Sequence, residues 1–258
     1  MAGDILLERD GSLATVTLFN PEKLNAIDAA MWRRLAAVMA ELTGDGSLRA
    51  VIVRGDGAAF AAGGDLDEFR TERADVDKAL AYHEAVGKAL TAVETCRHPT
   101  VAMILGPCVG GGLEIACACD LRIAGASARF GAPINKLGFS MYPGELAGLL
   151  RVAGLALAKE ILLEGRLLTA NEAYEKGLLT RVVPDKLAEA EALATAKRIA
   201  DGAPCVARAH KRWLTRLLDG KPLTDAEKRA SFDFLGTADY AEGLAAFAEK
   251  RKPDFKGC

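Results

Sequence analysis

Short apolar runs alternate with longer helix-forming segments along the first 190 residues. Residues 4–9 and 12–19 are two β-prone runs separated by an Asp-Gly pair, which predicts a hairpin. Residues 50–53 and 100–105 are short apolar runs, typical of strands that are buried on both faces. Each of these two runs is followed by a glycine-rich loop and then by a helix-forming segment. The pattern therefore predicts an α/β architecture.

Capping residues and a change of pattern divide the chain further. Asp28 stands in the N-cap position of a helix that should reach about Leu42. From about residue 143 onward nearly every segment has helical periodicity, and residues 178–183 are the one strand-like interruption. Residues 225–236 are predicted to form one of these helices. We therefore expect an α/β core over residues 1–190 and a helical region over residues 191–258.

Composition excludes several classes of function. The formal net charge is −2, so no overall positive field favours nucleic acid or a membrane surface, although residues 208–216 form a local basic cluster that could be a solvated helix face. The start of the sequence has no leader-like run, so we expect a soluble, cytoplasmic protein with reduced cysteines.

The histidines and cysteines are scattered along the chain, so no metal site is predicted. His98 is interpreted as a turn residue and His83 as a surface or packing residue.

Two glycine-rich loops, residues 55–64 and 106–112, carry the candidate chemistry. Glycine lets a ligand approach the main chain closely, and the first N–H groups of a helix have no partner within the helix. Two such loops side by side could aim two N–H groups at one oxygen and stabilise an oxyanion. A tight turn is the plainer interpretation of either loop alone. The second loop lacks both the Lys-Ser/Thr ending of a phosphate loop and the G-x-G-x-x-G spacing, which disfavours a nucleotide site.

A series of motifs in order along nearly the whole chain resembles the crotonase superfamily, also called the enoyl-CoA hydratase/isomerase family. The motifs are Asn20-Pro-Glu-Lys-Leu-Asn-Ala-Ile, Phe60-Ala-Ala-Gly-Gly-Asp-Leu, Gly106-Pro-Cys-Val-Gly-Gly-Gly-Leu-Glu-Ile-Ala, Cys119-Asp-Leu-Arg-Ile-Ala, Phe130-Gly-Ala-Pro, Leu163-Glu-Gly-Arg and Ala246-Phe-x-Glu-Lys-Arg-Lys-Pro-x-Phe. The resemblance implies an α/β, ClpP-like crotonase fold of repeated ββα units, with a C-terminal helical region that mediates trimerisation.

The same resemblance implies an acyl-CoA substrate held by two backbone N–H groups. By motif position these donors are Gly64 and Gly111. The residues that it implies for substrate binding are Lys23, Ala62, Asp65, Leu66, Phe247 and Lys250. Lys23 would reach a CoA phosphate, and the last two would meet the adenine, often from a neighbouring subunit. A homotrimer, or a hexamer built as a dimer of trimers, is the implied assembly. No separate cofactor is expected, because coenzyme A is part of the substrate.

Hydratases of this family typically use two glutamates, and the sequence supplies one of them at the family position. Glu114 lies three residues after Gly111 in an apolar segment, where desolvation would raise the pKa of its carboxyl and suit acid–base chemistry. The second position, after the proline of Phe130-Gly-Ala-Pro, holds Ile134, which cannot move a proton. Tyr142 and Glu145 are candidates for a substitute polar group, although Glu145 also suits the start of a helix.

These observations favour an enoyl-CoA hydratase that adds water to a 2-enoyl-CoA through a backbone oxyanion hole and one glutamate. Because Ile134 departs from the family pattern, two alternatives stay open. One is another crotonase-type reaction: isomerisation, decarboxylation or thioester hydrolysis. The other is an acyl-CoA binding protein that has lost catalysis. Nucleic acid and membranes are not expected as partners.

Overall fold

A six-stranded sheet is the centre of the computed structural model, which describes residues 3–257. The strand order is β1-β2-β3-β4-β6-β9; β1 pairs antiparallel with β2, and the other neighbours are parallel. The strands along the described chain are β1 (Asp4–Asp10), β2 (Leu13–Phe19), β3 (Ala50–Gly55), β4 (Thr100–Ile104), β5 (Pro107–Val109), β6 (Leu121–Gly125), β7 (Arg129–Gly131), β8 (Leu168–Thr169) and β9 (Arg181–Val183). The predicted hairpin and both predicted buried strands are confirmed.

A smaller sheet, β5-β7-β8, lies beside the main one. β4 of the main sheet is followed by β5 of the smaller sheet and then by a helix. In the same way, β6 of the main sheet is followed by β7 of the smaller sheet and then by a helix. After β3, the chain extends this second sheet only through an isolated bridge between Ala61 and Cys108. This succession gives the expected ββα units, and the bridge joins the two glycine-rich loops.

Helices cover both faces of the main sheet. The α-helices along the described chain are α1 (Ala29–Gly44), α2 (Phe69–Glu72), α3 (Val76–Glu94), α4 (Gly111–Ala118), α5 (Pro143–Lys159), α6 (Ala170–Glu175), α7 (Asp185–Ala200), α8 (Pro204–Leu217), α9 (Asp225–Ala230) and α10 (Ala238–Glu249). On one face α1, α3 and α4 bury apolar side chains in the larger core. On the other face the alanines of α7 pack against β2, β3, β4 and β6, because small side chains let helix and sheet approach closely.

Side-chain caps fix where the first long helices begin. The Asp28 carboxylate accepts a hydrogen bond of 2.7 Å from the backbone N–H of Met31, which confirms it as the N-cap of α1. Asp75 caps α3 in the same way through the N–H of Lys78. The two helices then pack against each other through apolar side chains of the larger core.

Two boundaries differ from the prediction. The expected boundary at residue 190 falls inside α7, which belongs to the α/β core because its alanines are buried against the sheet. The helical region therefore begins at α8. The single helix expected over residues 225–236 is also wrong: α9 ends at Ala230, and a 3₁₀ turn, Asp233–Gly236, follows.

His98 lies in a bend just before β4, as its position in the sequence predicted, and its side chain is buried. Its Nε2 lies 3.1 Å from the carbonyl oxygen of Leu42, and burial lowers the pKa of its imidazole to about 4. The sequence showed an X-Pro step at this position, but it did not show that α1 would cover the imidazole.

Five cysteines of the described chain are free thiols, and four of them are buried; Cys258 lies outside the described residues. Within residues 3–257 no helix is both long and apolar enough to cross a bilayer.

The basic cluster at residues 208–216 is largely used within the chain. A guanidinium nitrogen of Arg208 donates to the carbonyl of Leu48 at 3.1 Å, and Lys211 forms an ion pair of 2.8 Å with Asp120. Arg216 pairs with Glu227 at 2.6 Å. These contacts attach α8 to the core and to α9, so most of the cluster is not the solvated face that its sequence suggested.

Candidate active site

The two glycine-rich loops meet at one place. Gly64 forms a parallel bridge with Ile27, and the N–H of Val109 donates to the carbonyl of Ala61 at 3.0 Å. A Cβ added to Gly111 would lie 3.6 Å from the amide nitrogen of Gly64, so the two amides are close neighbours. Within the described residues, neither the Gly64 nor the Gly111 N–H donates to a protein acceptor. Two free N–H groups are therefore available to one ligand oxygen.

Glycine is required at the turn between β5 and α4. Gly110 has φ +50° and ψ −118°, a conformation that side-chain-bearing residues rarely adopt. This turn makes Gly111 the first residue of α4, where its N–H has no intrahelical acceptor. The local sequence thus exposes one donor, and the bridge to the other loop brings the second.

A cavity of about 240 Å³ opens beside these amides. Seven residues singled out from the sequence line it: Ala62, Gly64, Leu66, Gly111, Glu114, Tyr142 and Glu145. Four others do not line it: Lys23, Asp65, Phe247 and Lys250. The candidate oxyanion donors and all three candidate acid–base side chains therefore share one space with two of the expected substrate-binding residues, whereas the other four lie outside it.

Glu114 lies in the first turn of α4 and is 8% exposed. Burial raises the pKa of its carboxyl to about 8; the negative charge of Glu145 adds to this rise, and the positive charge of Arg73 opposes it. A carboxyl in this environment holds a proton near neutral pH and can give it to a substrate.

Glu145 supplies a second carboxylate in the cavity. It is 6% exposed in the first turn of α5, after Tyr142 and the helix-starting Pro143. One of its oxygens lies 2.5 Å from Nδ1 of His83 on α3. The His83 ring stacks on Tyr142 with centroids 4.8 Å apart. Glu145 is thus both a helix-start acid and a residue of the site.

His83 is not a surface residue; its ring packs against Tyr82 and Tyr142, in line with the packing interpretation. Its side chain is only 11% exposed, lines the cavity and binds a carboxylate 62 positions further along the chain. Its place one turn before the buried Val86 was a weak signal that it lies at the edge of the buried face of α3. The pairing with Glu145 had no sequence signal, because the contact joins two helices from different parts of the fold.

Ile134 forms part of the cavity wall, in a 3₁₀ turn after β7. It packs against the larger core. The position where the family pattern places a second glutamate is therefore apolar here, and the second carboxylate comes from α5 instead.

An aromatic and cationic group completes the cavity, and sequence reasoning missed it. The indole N–H of Trp32 donates to the Tyr82 hydroxyl at 3.2 Å, and burial raises the pKa of that hydroxyl to about 12. The Arg73 guanidinium lies 3.6 Å from the centroid of the Phe69 ring. All four of these residues line the cavity. Trp32 and Tyr82 lie on helices that the sequence predicted, whereas Phe69 lies on the short helix α2, which it did not predict, and Arg73 directly follows that helix.

Four expected substrate-binding residues lie outside the cavity. The Lys23 ammonium contacts Asp65 at 2.6 Å and Asp67 at 2.8 Å, and these hydrogen bonds raise the pKa of the lysine above its ordinary value. Phe247, on α10, is 86% exposed, and Lys250 is the left-handed residue that ends the same helix. Their contacts with coenzyme A stay predictions.

Comparison with known proteins places the chain and its fold in a family. The family model described as enoyl-CoA hydratase/isomerase matches residues 8–258. A crystal structure described as an enoyl-CoA hydratase/carnithine racemase from Magnetospirillum magneticum is 51% identical, with a TM-score of 0.97, over 98% of this chain and 96% of that one. The chain belongs to the enoyl-CoA hydratase/isomerase family, which confirms the resemblance and the expected crotonase fold.

Curated relatives are similar over their whole length. A 2,3-dehydroadipyl-CoA hydratase from Escherichia coli is 31% identical over 98% of this chain and 99% of that protein. A short-chain-enoyl-CoA hydratase from Clostridium acetobutylicum is 31% identical over 96% of each chain.

Proposed function

We propose that this protein is an enoyl-CoA hydratase that uses two glutamates, Glu114 and Glu145, instead of the single glutamate expected from the sequence. The observation that carries the proposal is that both carboxyl groups share one cavity with the free N–H groups of Gly64 and Gly111. The hydratase names of full-length relatives support the same reaction.

The first step is polarisation of the thioester. The substrate carbonyl oxygen accepts hydrogen bonds from the N–H groups of Gly64 and Gly111. These donors draw electron density from the conjugated double bond, so the β-carbon becomes electrophilic and the negative charge that develops on the oxygen is stabilised. Removing one such donor typically costs a factor of about 10² to 10³ in rate.

Water addition then divides the acid and base roles between the two glutamates. Glu145 accepts a proton from water as the oxygen forms its bond to the β-carbon, and His83 supports the carboxylate from the other side at 2.5 Å. Glu114, which burial keeps protonated, gives its proton to the α-carbon as the enolate collapses. The proton on Glu145 returns to Glu114 through solvent, which restores the site.

Crotonyl-CoA tests this division of roles. Hydration is followed by loss of the conjugated absorbance in the wild type and in the single variants Glu114→Gln and Glu145→Gln. Each variant is expected to lose about 10²-fold or more in kcat, because a general acid or base contributes that much. The wild-type rate should fall as the pH rises through about 8, when Glu114 loses its proton. Full activity in either variant would remove that glutamate from the mechanism.

The same experiment separates the alternatives. Tight binding of crotonyl-CoA without turnover would favour an acyl-CoA binding protein. The other reactions require that crotonyl-CoA is not turned over. Turnover of a 3-enoyl thioester would then favour isomerisation, turnover of a malonyl-type thioester would favour decarboxylation, and turnover of a saturated thioester would favour hydrolysis.

We also propose that the protein acts as a homotrimer or as a hexamer of two trimers. In support, the C-terminal helical region exposes many large apolar side chains: Val206, Leu214, Leu217, Leu218, Phe232, Phe234, Leu235, Leu244 and Phe247. Many exposed large apolar side chains in one region are typical of a subunit interface. In such an assembly Lys23, Phe247 and Lys250 would contact the phosphates and adenine of coenzyme A.

A further inference from the structure

Arg73 is a cation in the cavity without an anionic partner. It follows α2, and its guanidinium lies against three aromatic rings, 3.6 Å from the centroid of Phe69, 4.8 Å from Tyr82 and 5.2 Å from Phe139. Its Nε atom is buried and has no hydrogen-bond partner. Within residues 3–257 no carboxylate lies within 4.0 Å of it. The side chain is held in place by ring faces, and its buried Nε donor is left unused.

An unused buried donor on a guanidinium is costly. Stacking on aromatic rings compensates part of the lost hydration, but a ring cannot replace the hydrogen bonds of the planar N–H fork. Neither glutamate of the site serves as the partner: Glu145 is bound to His83, and burial keeps Glu114 protonated. A partner for this donor must therefore be a ligand or a water molecule that enters the cavity.

The position of Arg73 limits what that partner can be. The guanidinium shares the cavity with Gly64, Gly111 and Glu114, so a ligand held by the two amides lies in the same space as Arg73. The remaining walls near it are mainly aromatic and aliphatic, with Phe69, Phe139 and Leu137 among them. At about 240 Å³ the cavity is small for a ligand site, which favours a short acyl group.

We propose that Arg73 binds a carboxylate at the far end of the acyl group, so that the preferred substrates are short enoyl-CoA thioesters of dicarboxylic acids. This inference rests on the proposed function, since it takes the thioester oxygen to lie at the Gly64 and Gly111 amides. The guanidinium offers a paired N–H geometry that matches a carboxylate, and the surrounding rings exclude water from the pair. A terminal methyl group would leave the Arg73 donors unsatisfied.

Two substrates of equal carbon count test the proposal: trans-2-pentenoyl-CoA, which ends in a methyl group, and trans-glutaconyl-CoA, which ends in a carboxylate. The wild type is expected to hydrate glutaconyl-CoA with a kcat/KM about tenfold or more above that of pentenoyl-CoA. Arg73→Met should lose this preference: its kcat/KM should fall at least about tenfold further on glutaconyl-CoA than on pentenoyl-CoA. Arg73→Lys, which keeps the charge but not the fork, should fall between the two.

Arg70→Met is the matched control, because it removes an exposed arginine three positions earlier, and it should leave both values unchanged. A wild type that prefers pentenoyl-CoA would overturn the proposal. So would an equal loss on both substrates in Arg73→Met, since Arg73 would then act on the reacting groups and not on the acyl end.

If the wild type hydrates neither substrate, the proposed function fails, and binding of the saturated pair still decides the role of Arg73. Glutaryl-CoA should bind the wild type about tenfold or more tighter than pentanoyl-CoA in calorimetry, and Arg73→Met should abolish that difference. Equal affinities in the wild type would overturn the inference by itself.

Discussion

At the scale of single residues, the site keeps a carboxyl group in an environment that costs stability. The Glu114 carboxyl has an ordinary pKa of 4.5, and burial in the fold raises this value to about 8. Between these pH values the folded chain binds more protons than the unfolded chain. The free energy of unfolding is therefore expected to decrease as the pH rises through this range, because the buried carboxyl loses its proton at an energetic cost.

Glu114→Gln should therefore be more stable than the wild type at high pH. The two proteins should differ little near about pH 5, and the advantage of the variant should grow toward about pH 9, since glutamine carries no charge that burial can penalise. Urea unfolding at both pH values measures the difference. Glu175→Gln, at an exposed position, is the control and should show no such growth. A stability difference that is constant with pH would contradict the burial argument.

Residue identity alone predicted part of this site. Glu114 could be recognised because it follows a glycine triplet in an apolar segment. His83 and Arg73 could not be recognised in this way, because neither stands in a motif. The place of His83 in the site depends on its contact with Glu145. The place of Arg73 depends on the rings of Phe69, Tyr82 and Phe139.

At the scale of elements, close packing between a helix start and a loop sets the position of the oxyanion donors. Gly112, in the first turn of α4, lies against the chain segment that follows β3. A Cβ on Gly112 would lie 2.6 Å from the carbonyl oxygen of Ala61, closer than real Cβ contacts allow. Because Ala61 is itself held by the bridge to Cys108, the loop cannot simply move away.

Gly112→Ala is thus expected to displace α4 from the loop. The free energy of unfolding should fall by about 1–3 kcal/mol, and kcat should fall with it, because the Gly111 N–H moves relative to Gly64. Gly87→Ala is the matched control: this glycine lies inside α3 with nothing within 4 Å of an added Cβ, so alanine should raise stability by about 0.5–1 kcal/mol. Thermal unfolding with crotonyl-CoA kinetics measures both, and an unchanged kcat in Gly112→Ala would contradict the coupling.

At the scale of the whole molecule, the C-terminal helical region exposes apolar surface that the rest of the chain does not cover. Leu214 on α8 is 69% exposed, and Leu218 and Leu235 are also exposed. α8 is attached to the core mainly through Arg208 and Lys211, so its apolar residues are left for another surface. A trimer would bury them and lower the free energy of the assembled state.

Light scattering coupled to gel filtration tests this expectation. The wild type should have three or six times the 27.2 kDa chain mass. Leu214→Glu should shift the mass toward one chain, because a charge at the interface would be buried without a partner. Val76→Glu, which changes an equally exposed apolar residue at the start of α3, should leave the mass unchanged. A wild type that elutes at 27.2 kDa would rule out the assembly.

The sequence by itself determined the α/β pattern, the Asp28 cap, both glycine-rich loops and the place of Glu114, because each depends on residues close together along the chain. Only the tertiary structure decided that α7 belongs to the core, that His83 supports Glu145 and that Arg73 faces the cavity. These facts depend on contacts between elements far apart in sequence. Local periodicity fixes which face of a helix is buried, but it carries no information about which distant side chain that face will meet.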